Sequence, residues 1–161
     1  MNPRVILSLS KDTHAERDGF IVSADPARID AGAVERLLST AYWASGRSQS
    51  TIRESLRNSR CFGLYDARSG RQAGFMRVVT DYATFAWLCD VIIEEGLRGK
   101  GLGTWMLEFV LNDPEMQSVT RWILATGDAH ALYARFGFTP MAKPDVWMER
   151  ILSKTDCTQP S

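Results

Sequence analysis

The stretch Arg98-Gly99-Lys100-Gly101-Leu102-Gly103-Thr104 constrains this chain more than any other. It joins the apolar run Val91-Ile92-Ile93 to a helical pattern of Trp105, Met106, Leu107, Phe109, Val110 and Leu111, which Asn112-Asp113-Pro114 stops. Glycines at alternate positions permit backbone conformations closed to other residues, so several N–H groups can converge on one anion. The helix start adds about half a positive charge, and Arg98 and Lys100 add side-chain charge. A phosphate or pyrophosphate fits such a loop; the alternative is a loop that only turns the chain. Two common phosphate loops are excluded by spacing. A Walker loop needs Ser or Thr after the Gly-Lys pair and a Gly five residues before it, where this chain has Gly101 and Glu94. A dinucleotide fingerprint needs GxGxxG, but Thr104 stands where its last Gly belongs, and the strands ahead of the loop read as a meander.

Around this loop the periodicity predicts strands at Phe20–Ser23, Cys61–Tyr65, Ala73–Thr80, Thr84–Ile93 and Trp122–Ala125. Phe138 and Val146-Trp147-Met148 read as two closing strands. Helices are predicted from the N-cap Asp30 up to Tyr42-Trp43, around Ile52 and Leu56, after the glycine loop, and from the N-cap Asp128 over Ala129–Phe136, ended by Gly137. The order is βααβββαβαββ, an α+β chain whose single sheet is mixed but mostly antiparallel, with helices flanking it. At 161 residues the chain holds one domain. Residues 1–18 read as an N-terminal extension, 19–152 as the domain and 153–161 as a loose polar tail.

Composition narrows the function classes. A content of 45% hydrophobic and 24% charged residues describes an ordinary globular domain, and nineteen basic residues balance nineteen acidic ones. Zero net charge lacks the broad attraction that nucleic-acid binders use, so no nucleic-acid partner is expected and any anion site is local. Cys61, Cys89 and Cys157 are an odd, widely spaced set with no CxxC pair, which indicates neither a disulfide framework nor a metal site. Val5–Leu9 is too short for an export signal, and no stretch reaches the roughly 20 apolar residues of a membrane span. A cytoplasmic protein is expected.

Arg98-x-x-Gly101-x-Gly103 after a strand, then Ala129-x-x-Leu132-Tyr133-x-x-x-Gly137-Phe138 about thirty residues on, resembles the acetyl-CoA-binding motif and the following helix motif of the GNAT superfamily of N-acetyltransferases. The order of elements resembles that fold from about Phe20 to Ile151. The resemblance implies acetyl transfer from acetyl-CoA, without a metal, to a primary amine in a ternary complex. It implies that amides of Gly99, Lys100, Gly101, Leu102, Gly103 and Thr104, with the Arg98 side chain, hold the coenzyme pyrophosphate. The strand end at Ile92 and Ile93 would pair with the pantetheine arm and polarise the thioester carbonyl, and Tyr133 would protonate the departing thiolate. Many relatives carry Asn seven residues before the Tyr; this chain has Thr126.

An alkylamine with a pKa near 10.4 costs roughly 4 to 5 kcal/mol to deprotonate at pH 7. Asp90, on the strand entering the loop, could take that proton directly or through water, or bind the ammonium group; otherwise it is a hydrogen-bonded strand residue. Tyr42, Trp43 and Arg47 between the first two helices, and Asp81 and Tyr82 in the meander turn, border the acceptor site in similar proteins; packing and solvation are the plainer explanation. His14 and His130 read as surface histidines. A coenzyme-binding sensor or scaffold without catalysis is the alternative function, and a toxin acting on aminoacyl-tRNA a third. The acceptor is a small-molecule or peptide amine, and a second copy of the chain is a candidate partner.

Overall fold

The computed structural model describes residues 14–152. The chain divides into two compact units, one ending at Asp128 and the other beginning at Ala129. The first contains a six-stranded sheet of β1 (His14–Arg17), β2 (Phe20–Ser23), β3 (Arg60–Asp66), β4 (Gln72–Thr80), β5 (Phe85–Ile93) and β6 (Arg121–Ile123), in that spatial order. Every neighbouring pair is antiparallel except β5 and β6. This is the expected α+β class with a mixed, mostly antiparallel sheet.

Three helices belong to the same unit: α1 (Ala31–Ser39), α2 (Gln49–Arg57) and α3 (Leu102–Leu111). Asp30 caps α1 by accepting from the Ala33 amide at 3.1 Å, and Ser48 caps α2 through the Thr51 amide at 3.2 Å. The apolar stripe of α1 buries Val34, Leu37 and Leu38 in a cluster with Ile52, Cys61, Phe75 and Ile92. Helix α3 is apolar nearly all round and buries Trp105, Met106, Leu107, Phe109 and Val110, as a helix covering a sheet must. Beyond its end, Asp113 is fully buried, with its carboxylate on the Arg60 guanidinium at 3.0 Å and the Glu115 amide at 3.0 Å. No helix among the described residues is long and apolar enough to cross a membrane.

Four expectations need correction. Residues 14–17, read as part of an extension, form β1, because Asp18-Gly19 makes a two-residue hairpin turn with φ of 50° and 79°. In the second unit Phe138 is not a strand: its amide closes α4 (His130–Ala134) on the Tyr133 carbonyl at 3.3 Å, with Gly137 left-handed at φ 83°. Val146–Met148 is not a strand either, since Pro144 opens a 3₁₀ turn over Pro144–Val146 and the Trp147 amide returns to the Pro144 carbonyl. Helix α4 also begins later than expected, with Ala129 rather than Asp128 at the cap position.

The hairpin turns generate a pH dependence. Asp66 accepts from the Ser69 amide and hydroxyl and from the Arg68 amide, Asp81 from the Thr84 hydroxyl and from the amides of Ala83, Thr84 and Phe85, and Glu94 pairs with Arg71. These bonds hold all three carboxyl groups below their ordinary pKa values. Groups depressed by folding stabilise above their unfolded pKa and lose that contribution as pH falls through the folded one. The melting temperature is therefore expected to be flat above about pH 5 and to fall below about pH 4, with Asp81→Asn reducing the slope. Asp113→Ala leaves the buried Arg60 without its main partner and is expected to cost about 3 kcal/mol in urea unfolding.

Candidate active site

Strand β5 organises the site. On one side it pairs with β4 along its length; on the other, β6 reaches only Phe85, Ala86 and Trp87. Leu88–Ile93 therefore has no strand on that edge among the described residues, leaving backbone groups that another extended chain could pair with. The β4 register shifts by one residue between Phe75 and Arg77, which places a bulge on β5. Asp90 lies in it with a left-handed φ of 52°, a conformation Asp tolerates better than most residues.

The bulge turns Asp90 toward two arginines. Arg47 Nη1 donates to both carboxylate oxygens at 2.9 Å, and Arg77 Nε donates to Oδ2 at 2.8 Å. Arg77 is held from its other end by the Ser59 hydroxyl, 3.1 Å from Nη1. The Asp90 side chain is only 2% exposed, against 14% for Arg77 and 26% for Arg47. Flanking Arg77 across the sheet are Cys61 and Cys89, whose thiols burial pushes up to about 12 and about 11, so both are neutral at physiological pH.

After β5 the chain makes a 3₁₀ turn at Glu95–Leu97 and enters the glycine loop. Arg98 Nε donates to the Ile93 carbonyl at 2.9 Å and so ties the loop to the strand end. Gly99 and Gly101 are left-handed, with φ of 77° and 75°, and Gly101 caps α3 with no side-chain hydrogen bond to the helix. Among the described residues, the amides of Gly99 through Thr104 meet no acceptor; the first return bond runs from the Trp105 amide to the Gly101 carbonyl at 3.0 Å. Amides left without acceptors at a helix start are able to receive an anion.

Arg17 also reaches this loop. Its Nη2 donates to the Gly101 carbonyl at 3.4 Å and its guanidinium lies 5.0 Å from the Trp105 ring centroid. Sequence reasoning missed it. The Asp18-Gly19 turn could have placed Arg17 on a strand, but its position beside a loop 84 residues away is a tertiary matter.

The remaining candidates are dispersed. Tyr42 and Trp43 form an edge-to-face pair at 5.1 Å and are exposed, with the Tyr42 hydroxyl close against Gly127. Asp81 and Tyr82 lie four residues and more beyond Arg77, on the order of 13 Å along the strand, and the Asp81 carboxylate is taken up by its own turn. In the second unit Tyr133 is buried, its ring edge-on to Phe138 at 5.9 Å, while His130 is exposed. Thr126 accepts from the Asp128 amide at 3.4 Å.

Comparison with known proteins gives a consistent result. Residues 57–140 match the Acetyltransferase (GNAT) domain family. A Gibberella zeae protein that carries an acetyltransferase name, FG08082, is 32% identical over 126 residues, covering 67% of this chain and 71% of its own. A GNAT-family structure from Xanthomonas campestris pv. campestris is 39% identical, with a TM-score of 0.79 over 85% of this chain and 96% of that one. The Mycobacterium tuberculosis protein Rv2747, solved with CoA, shares the fold at a TM-score of 0.59 and 18% identity, over 73% of this chain and 70% of its own. With its sheet, open β5 edge and glycine loop, the chain is a member of the GNAT family of acetyltransferases.

Proposed function

We propose that this protein transfers an acetyl group from acetyl-CoA to an amine acceptor held between the α1–α2 segment and β5. The observation that carries this reading is the row of amides from Gly99 to Thr104 with no internal acceptor, at the uncapped start of α3. Those donors, with Arg98, Lys100 and Arg17 nearby, suit the coenzyme diphosphate. The unpaired edge of β5 at Ile92 and Ile93 suits an extended amide-bearing arm. When bound, acetyl-CoA supplies the acetyl group as a thioester.

The chain's own residues then have separate tasks. An amide at the end of β5 donates to the carbonyl oxygen and stabilises the charge that develops there. Tyr133 gives a proton or a hydrogen bond to the leaving sulfur; transfer from a phenol near pKa 10 to a thiolate near 8.5 is uphill by roughly 2 kcal/mol, so the hydrogen bond itself contributes. Asp90 enters as a positioning residue. Three guanidinium hydrogen bonds already engage its carboxylate, and two cations beside it repel an ammonium group. The attacking amine therefore loses its proton to water. The exposed Tyr42–Trp43 pair offers apolar surface for the body of the acceptor.

Calorimetric titration with acetyl-CoA tests the loop. Gly101→Glu puts a side chain into a left-handed position and a like charge at the anion site, and is expected to weaken binding by at least about tenfold, or 1.4 kcal/mol; an unchanged Kd in a folded variant overturns the site. Thiol release over an amine panel tests the chemistry. Tyr133→Phe is expected to lower kcat by roughly 10²-fold with little change in the KM for acetyl-CoA, whereas equal turnover removes Tyr133 from the reaction. Coenzyme binding with no thiol release for any amine would mark a non-catalytic module.

A further inference from the structure

We propose that Arg47 is an anion-recognising residue of the acceptor site and that the amine acetylated here carries a carboxylate or a phosphate. The proposal rests on the acetyl-transfer reading above and adds the chemical class of the acceptor. It starts from a charge imbalance. Arg77 by itself neutralises Asp90, with its guanidinium fixed between that carboxylate and Ser59. Arg47 is a second cation on the same buried carboxylate, so the cluster carries one positive charge in excess.

Among the described residues, no further carboxylate bonds this cluster. The Cys61 and Cys89 thiols beside Arg77 are protonated at physiological pH. The carboxylates on the neighbouring helices are already paired, Glu35 with Arg53 at 3.2 Å and Glu54 with Arg57. At the start of β3, Arg60 takes Asp113 and Glu115. A positive charge in excess on a partly buried cluster is costly, and an acceptor bearing an anion lowers that cost on binding.

Geometry supplies the means. Arg47 bonds Asp90 through Nη1 alone. Among the described residues its Nε and Nη2 have no acceptor, and the side chain is 26% exposed, so these donors face water. Guanidinium donors in a fixed fork match the oxygens of a carboxylate or phosphate. Asp90 holds that fork in place before any ligand arrives, which removes part of the ordering cost of binding. The exposed Tyr42 and Trp43 rings lie just ahead on the same segment, whose Arg47 amide returns to the Ala44 carbonyl at 3.1 Å.

The test uses matched product-like probes that differ in one charge: N-acetylphenylalanine against its amide, and N-acetylglucosamine 6-phosphate against N-acetylglucosamine. Each is titrated calorimetrically into the CoA-saturated protein. In at least one pair the charged probe is expected to bind at least about tenfold tighter, and the pair that responds identifies carboxylate or phosphate. In Arg47→Met the preference is expected to fall below about threefold, with Arg47→Lys intermediate, while the acetyl-CoA Kd and the melting temperature confirm a folded, coenzyme-competent variant. Equal binding within both pairs, no measurable binding of either charged probe at millimolar concentration, or a preference that survives Arg47→Met overturns the proposal. Failure of the unaltered protein to bind acetyl-CoA or CoA overturns the acetyl-transfer reading instead.

Discussion

A strand satisfied on both edges is structural; a strand satisfied on only one keeps hydrogen-bonding capacity for something else. Strand β5 does both within nine residues. Ala86 and Trp87 are locked between β4 and β6, and from Leu88 onward no strand among the described residues pairs with one edge. The bulge at Asp90 falls within this open stretch, and its extra residue rotates the backbone locally so that a carboxylate is aimed at Arg47 and Arg77. The open edge, the carboxylate clamp on two arginines and the entry to the glycine loop thus share one segment of chain.

The charges divide along the same strand. At its end the loop gathers Arg98, Lys100 and Arg17 around amides with no internal acceptor, so an anion there meets donors already in place. At the bulge a single carboxylate is overmatched by two guanidinium groups. Both places are positive although the whole chain carries no net charge, and local placement rather than overall composition sets what they can bind. Preorganisation is common to both: Arg98 is fixed on the Ile93 carbonyl and Arg47 on Asp90, so neither need be ordered when a ligand arrives.

Much of the fold was legible because the signals were local. The alternation of Ala73–Thr80, the Asp30 cap with its apolar stripe and the Pro114 stop each lead to one element by short-range physics. Where sequence reasoning erred, a turn residue governed the outcome. Asp18-Gly19 added β1, Gly137 spent the Phe138 amide on closing α4, and Pro144 diverted Val146–Met148 into a 3₁₀ turn. In the last two cases a run of a few apolar residues offered too little pattern to outweigh its flanks.

The glycine loop between an apolar strand and an apolar helix was determined by sequence alone, since glycine reaches the left-handed φ values found at positions 99 and 101 without the steric cost of a side chain and a helix start leaves its first amides without helical partners. Asp90 was legible as a residue but its direction was not, because a one-residue bulge reverses the facing of everything beyond it and leaves no mark in the hydrophobic pattern. The pairings of Arg47 with Asp90, 43 residues apart, and of Arg17 with Gly101, 84 apart, were decided by tertiary structure. Charged side chains on irregular segments carry no periodicity, and only the packed sheet specifies which of them meet.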